Sequence, residues 1–197
     1  MYQLPKSVII RGREFNITND GDFRMVLDCF AALRDEDLSE DLRVLASLLI
    51  FYNEFNSYKD LIEYTDYLED LVKEMYKFFQ CGQENSPGAK VNKVLIDWEQ
   101  DEQIICSAIN NVAGYEVRNS DYMHWWTFLG YFMAIGESVM STVLSIRNKI
   151  VSHKKLEKWE REFKNNNPEY FHWKSTTVVD RETERLVREL WNKGGEE

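Results

Sequence analysis

Apolar residues recur along this chain at the period of an α-helix, and little interrupts them. Phe23, Val26, Leu27, Phe30 and Leu33 follow an i, i+3, i+4, i+7 pattern. Leu42, Leu45, Ala46, Leu49 and Ile50 make a second stripe, and Leu61, Tyr64, Leu68, Leu71, Val72, Met75 and Phe79 a third. Ile104, Ile105, Ala108, Ile109 and Val112 come next, then Tyr122, Trp125, Trp126, Leu129, Phe132 and Met133, then Val139, Val143, Ile146 and Ile150. Only 9 Gly and 3 Pro fall among 197 residues, so few backbone positions break these runs. The spacing predicts a helix opening at Phe23 behind the turn Asn19-Asp20-Gly21-Asp22, and another capped by Ser39. Further helices are expected over 58–80, 98–112 and 121–135, with Asp121 helping to cap the last of these. One more starts at Val139 and continues through the charged stretch 152–164 to the terminator Asn165-Asn166-Asn167-Pro168.

The exception lies at the start. Residues 7–17 are β-branched and alternating around Arg11-Gly12, which reads as a β-hairpin with a tight glycine turn. An isolated hairpin is marginal, so it must pack on the helices or pair with another chain. The expected fold is therefore mainly α: a single helical domain of six to seven helices with a short N-terminal β-hairpin, covering 1–166. Residues 167–197 form an appended loop and amphipathic helix, with Val179, Leu186, Val187, Leu190 and Trp191 along one side. The segment around Asn85-Ser86-Pro87-Gly88 reads as a flexible loop.

Charge excludes some partners. The net charge of −10 argues against nucleic acid, whose phosphates need a basic surface. The distribution is uneven: from Asp35 to Glu74 there are twelve acidic and three basic residues, and from Arg147 to Lys164 seven basic and three acidic. Solvated helix faces account for both runs, and complementary docking is the sharper alternative. Cys29, Cys81 and Cys106 form neither a CxxC pair nor a zinc spacing, and read as reduced thiols. No signal peptide is evident at the N-terminus, and no apolar run approaches the ~20 residues that span a bilayer. The expected location is the cytoplasm, away from membranes.

Two constellations invite a functional reading. Asp97, Glu99, Asp101 and Glu102 lead into the helix at Ile104, where unpaired N–H groups favour negative charge. A Mg²⁺ site is the competing reading, because helical nucleotide pyrophosphatases use paired carboxylate motifs. Glu99 and Glu102 supply one pair, but the second candidate, Glu116 to Asn119, ends in Asn and leaves the motif incomplete. His124-Trp125-Trp126 could stack on a base or sugar. Aromatic residues at helical spacing read more readily as core, with His124 hydrogen-bonded near a helix start. His153 and His172 complete no ligand pattern, and no phosphate loop or nucleophile motif is present. Catalytic residues, metal ligands and cofactor contacts are accordingly expected to be none.

Asp97-Trp98-Glu99-Gln100-Asp101, then Ile104-Ile105 and Ser107-Ala108, then His124-Trp125-Trp126 with Phe128, stand in an order that resembles the bacteriophage gene-product-fifteen family, named after a Listeria siphophage. Leu4-Pro5, Val8 to Ile10, Phe15-Asn16-Ile17, Asp22-Phe23-Arg24 and Ser145-Ile146-Arg147 agree in the same order. The resemblance covers roughly 4–160 and departs in the last thirty or so residues. It implies a protein encoded beside the tail tape-measure gene: a non-enzymatic tail assembly chaperone, acting in the bacterial host and absent from the mature virion. Its client would be the tape-measure protein, with a second tail chaperone, the tail tube protein or a homo-oligomer as further partners. The candidate partner contacts are Trp173, Leu186, Val187, Leu190 and Trp191. The motif residues, including Asp22, Phe23, Arg24, Phe128 and Arg147, are expected to be structural. A structural tail or connector subunit is the alternative, and a Mg²⁺-dependent nucleotide hydrolase the third reading.

Overall fold

The computed structural model describes residues 3–83 and 95–172. They are mainly helical, with a two-stranded antiparallel hairpin at the N-terminus and eight α-helices among the described residues. Contacts cluster into two compact units, the first comprising residues 3–83 with His124–Trp126 and the second 95–123 with 127–172.

In the first unit β1 (Ser7–Ile10) pairs with β2 (Arg13–Asn16). Arg11 and Gly12 both hold positive φ, +50° and +82°, the two-residue turn that matches strand twist and that glycine at the second place permits. The inner face buries Ile10 and Phe15. Helix α1 (Phe23–Arg34) starts at Asp22, whose carboxylate accepts from the Arg24 N–H at 2.9 Å. It packs on α2 (Glu40–Phe51), which Ser39 caps as expected. Their approach is close because small side chains meet there. The buried Ser47 hydroxyl lies 3.2 Å from the Cys29 carbonyl oxygen, and the Cys29 thiol 3.6 Å from the Ser47 carbonyl oxygen.

The long helix expected over 58–80 is broken. Helix α3 (Tyr58–Ile62) ends early, a 3-10 turn spans Thr65–Tyr67, and α4 (Leu68–Phe79) follows. The Thr65 hydroxyl donates to the Ile62 carbonyl at 2.7 Å, offering that carbonyl a side-chain partner. The break also turns Tyr64 and Tyr67 onto Phe15 of the hairpin, at centroid distances of 5.9 Å each. Helix α4 ends with Cys81 and Gly82 at positive φ and the Gly82 N–H on the Lys77 carbonyl at 2.8 Å.

In the second unit α5 (Glu102–Ala113) stops at Gly114, which sits at φ +80°. Helix α6 (Trp125–Met133) opens in the first unit and continues in the second. It begins later than expected, and the His124 ring caps it, accepting from the Trp126 N–H at 3.1 Å. Helix α7 (Val139–Val151) packs on α5, burying Met140, Val143 and Ile146. The continuation through 152–164 does not occur. His153 takes φ +54°, the Lys154 N–H closes on the Lys149 carbonyl at 2.8 Å, and α8 (Lys158–Asn166) restarts behind a Glu157/Glu160 capping box. Tyr122, Met133, Val139 and Ile150, expected inside, are exposed, and Met123 and Met140 are buried beside the expected Trp125, Val143 and Ile146.

Candidate functional site

The motif residues gather into two clusters, one in each unit. The first is built around His124-Trp125-Trp126. Helix α4 ends with carbonyls that no later helical turn can satisfy. The Trp125 indole N–H donates to the Phe79 carbonyl at 3.0 Å and the Trp126 indole N–H to the Phe78 carbonyl at 2.9 Å. Adjacent tryptophans thus clamp consecutive carbonyls at the end of one helix while opening another. Trp125 is buried, edge-on to Phe30 at 5.6 Å.

His124 ties this clamp to the start of the chain. Its Nδ1 accepts from the Trp126 N–H, so the ring proton resides on Nε2 and is donated to the Pro5 carbonyl at 3.0 Å. Its backbone bridges Asp22, the α1 cap, which also holds the Arg24 guanidinium at 3.1 Å; that guanidinium lies over the Phe23 ring. Burial pushes the imidazole pKa below its ordinary value, with the Pro5 bond opposing and nearby Lys6 adding to the depression. Asp20 and Asp22 act the other way, and the net direction stays downward. The ring is neutral and fully engaged, without the free faces that a stacking platform needs.

The second cluster is built on Asp101 and Arg147, 46 positions apart in sequence. Asp97 makes a local turn: its carboxylate accepts from the Glu99 N–H at 3.1 Å and the Gln100 N–H at 2.9 Å. This turn occupies 98–101, so α5 starts four residues later than the apolar period suggests. It delivers Asp101 to a buried position, where the carboxylate accepts from the Asp97 N–H at 3.0 Å and from Arg147 at 2.5 and 2.8 Å. The same guanidinium donates to the Leu95 carbonyl at 2.8 Å and twice to the Tyr170 carbonyl at 2.8 and 2.5 Å. All five of its N–H groups are used. Gln100 spends both amide hydrogens on the Glu169 and His172 carbonyls, at 2.9 and 2.8 Å. Trp98 packs on Phe132 at 5.1 Å and on Phe128 at 6.3 Å.

This geometry bears on the Mg²⁺ reading. Asp101 is committed to a cation of the protein's own, Glu102 reaches Arg118 at 3.3 Å, and no group of three or more His, Cys, Asp or Glu side chains among the described residues could hold a metal ion. The thiols offer no nucleophile. Burial pushes the Cys29, Cys81 and Cys106 pKa values up, and Asp28 beside Cys29 adds to the effect there.

Residues 1–171 match the family model described as Bacteriophage Gp15 protein. The chain belongs to that family. Every residue of both clusters except His172 falls within the Gp15 match, and the family is not one of known enzymes. No curated protein and no solved structure matches the chain. Trp173, Leu186, Val187, Leu190 and Trp191 lie beyond the end of the Gp15 match and outside the described residues. Sequence reasoning missed the carbonyl partners, namely Pro5, Phe78, Phe79, Leu95, Glu169, Tyr170 and His172. A backbone acceptor carries no signal in residue type. A second pair was also hidden: Glu160 of α8 is buried and held by Lys149 at 2.6 Å. That contact, with the Glu157 N–H, keeps its carboxyl below the ordinary range.

Proposed function

We infer that this is a bacteriophage protein of a structural or assembly-related kind, from its membership of the Gp15 family. We propose that it is a non-enzymatic tail assembly chaperone that holds the tape-measure protein soluble until tube subunits cover it. Family membership over 1–171 carries this reading, joined to the resemblance of its motif order to siphophage proteins encoded beside the tape-measure gene. The polar motif residues support it from a second side. Their hydrogen-bonding groups are spent on helix ends and loop carbonyls, which suits a scaffold that acts through its surface. We assign the helical body to 1–166 and a partner arm to 167–197. The arm's first residues, through His172, are fastened by Gln100 and Arg147. Beyond them, Trp173, Leu186, Val187, Leu190 and Trp191 supply the apolar face that lies in a groove against the client. Several copies along one client gain avidity, and the net charge of −10 keeps the loaded complex soluble. The protein works in the host cytoplasm and leaves before the virion matures.

The test is co-expression with the tape-measure protein of the same phage. A soluble, co-purifying complex, lost when residues 173–197 are deleted, is the expected outcome. A client that stays insoluble with nothing co-purifying sinks the reading. Detection of the protein in purified particles by mass spectrometry would favour a structural tail subunit instead.

A further inference from the structure

Among the described residues the hairpin leaves one edge open. Ile10 and Arg13 close a two-residue turn, so Ile10/Arg13 and Val8/Phe15 are the hydrogen-bonded pairs of the ladder. The Ile17 N–H on the Lys6 carbonyl at 2.8 Å continues that alternation. Ser7, Ile9, Glu14 and Asn16 therefore aim their backbone groups away from the partner strand. On β2 this outer edge is closed at Asn16, whose carbonyl accepts from the Asn53 N–H at 3.0 Å and whose N–H donates to the Glu54 carboxylate at 2.7 Å. Glu14 places a charge on the remainder. On β1 the outward N–H and C=O of Ile9 have no hydrogen-bond partner among the described residues, and the Ile9 side chain is 74% exposed. Ser7–Ile10 carries no charge. Short edges, charges and bulges are the usual protections of a sheet edge, and β1 has only its shortness.

We propose that β1 pairs with β1 of a second copy, antiparallel about a two-fold axis at Ile9, to give one four-stranded sheet in the order β2-β1-β1-β2. The occupant follows from the edge itself. Pairing at Ile9 sets each Ile9 N–H on the other's carbonyl, so one isologous contact satisfies both copies with the same groups. The two exposed isoleucines come side by side on the outer face. Ser7 then faces Arg11 of the second copy, and Lys6 faces its Gly12, so no like charges oppose one another. Lys6 and Arg11 are already held within their own chain, by Asp20 at 2.6 Å and Asp70 at 2.8 Å. Each copy carries a net charge of −10, so the pairing strengthens with added salt, opposite to a contact held by complementary charge. This inference rests on the hairpin alone and stands or falls apart from the chaperone reading.

Sedimentation velocity of the full chain, from low to high protein concentration and at low and high salt, tests it. Two substitutions isolate the edge. Ile9→Pro removes the outward N–H without touching a bond inside the hairpin, and Ile9→Lys places a charge on it. The expected result is a dimer favoured by salt, lost in both variants at unchanged far-UV circular dichroism. Under oxidising conditions Ile9→Cys then yields an intermolecular disulfide. A wild-type chain that stays monomeric throughout overturns the proposal, as does a dimer that survives Ile9→Lys. Should Ile9→Pro disturb the fold, Ile9→Lys decides alone, since its side chain projects into solvent.

Discussion

Arg147→Ala is the substitution whose consequence is best defined. It leaves the Asp101 carboxylate, fully buried, with the Asp97 N–H as its remaining donor. Removing one partner of a buried ion pair costs about 3–5 kcal/mol, because the other charge stays desolvated. The Leu95 and Tyr170 carbonyls lose their partner in the same step. Domains are stable by only about 5–15 kcal/mol, so the second unit should be brought close to unfolding. With a urea m-value of about 2 kcal/mol/M, a loss of 4 kcal/mol lowers the midpoint by about 2 M.

A double-mutant cycle with Asp101→Ala, followed by urea titration and tryptophan fluorescence, separates pairing from packing. Each single change should be costly, and the double change should cost clearly less than the sum, since it leaves no orphaned charge. Arg147→Lys should rescue little, because an ammonium has three donors and no planar fork to span Asp101, Leu95 and Tyr170 together. Strict additivity in the cycle, or single losses under about 1 kcal/mol, would show that these groups are hydrated and that the five-bond geometry is not what holds this unit.

Three further outcomes follow from the first unit. Trp125→Phe keeps the ring but strands the Phe79 carbonyl, and should cost about 1–3 kcal/mol by thermal or urea unfolding; an unchanged midpoint would refute the clamp. Gly21→Ala should destabilise by about 1 kcal/mol or more, because φ is +80° and the new Cβ would sit 2.8 Å from Phe78 Cζ and 3.0 Å from His124 Nε2. His124 titrates near ~6.5 when unfolded and lower when folded. The unfolded chain alone is protonated between those values, so its contribution is complete above ~6.5 and is lost as pH falls through the folded pKa. Urea midpoints from pH 7.5 down to pH 5, compared with those of His124→Gln, should show a slope that the variant lacks; parallel slopes would count against it.

What the sequence made legible was the part that depends on period and local chemistry. The hairpin at Arg11-Gly12, the caps at Asp22 and Ser39 and the stop at Gly114 can each be read from a few adjacent residues. Failures occurred where a distant partner outweighed the local pattern. Tyr64 belongs to a helical stripe by spacing, yet Phe15, about fifty positions earlier, draws it out of that stripe. Asp101 reads as one of several acids at a helix start, and only Arg147 makes it different from Glu99 or Glu102. The basic run after Arg147 looks continuous with α7, although Glu157 and Glu160 signal a new start once the turn at His153 is known.

Residues that resemble a binding platform in the sequence are spent on helix ends in the fold. The described α-helices run from five to thirteen residues. Short helices give a fold many ends for its size, and each end leaves backbone groups unpaired. Gly and Pro are few, so side chains must do much of the terminating. Trp125 and Trp126 close α4, His124 opens α6, and Gln100 with Arg147 fastens the chain at Glu169 to His172. A histidine, two tryptophans, an amide and an ion pair would suggest chemistry if counted alone. Followed to their partners, they account for themselves in backbone carbonyls and N–H groups. The two surfaces proposed above for partners, the outer edge of β1 and the residues that follow His172, both lie outside these clusters. Ile9→Lys alters the first of them without removing a hydrogen bond among the described residues.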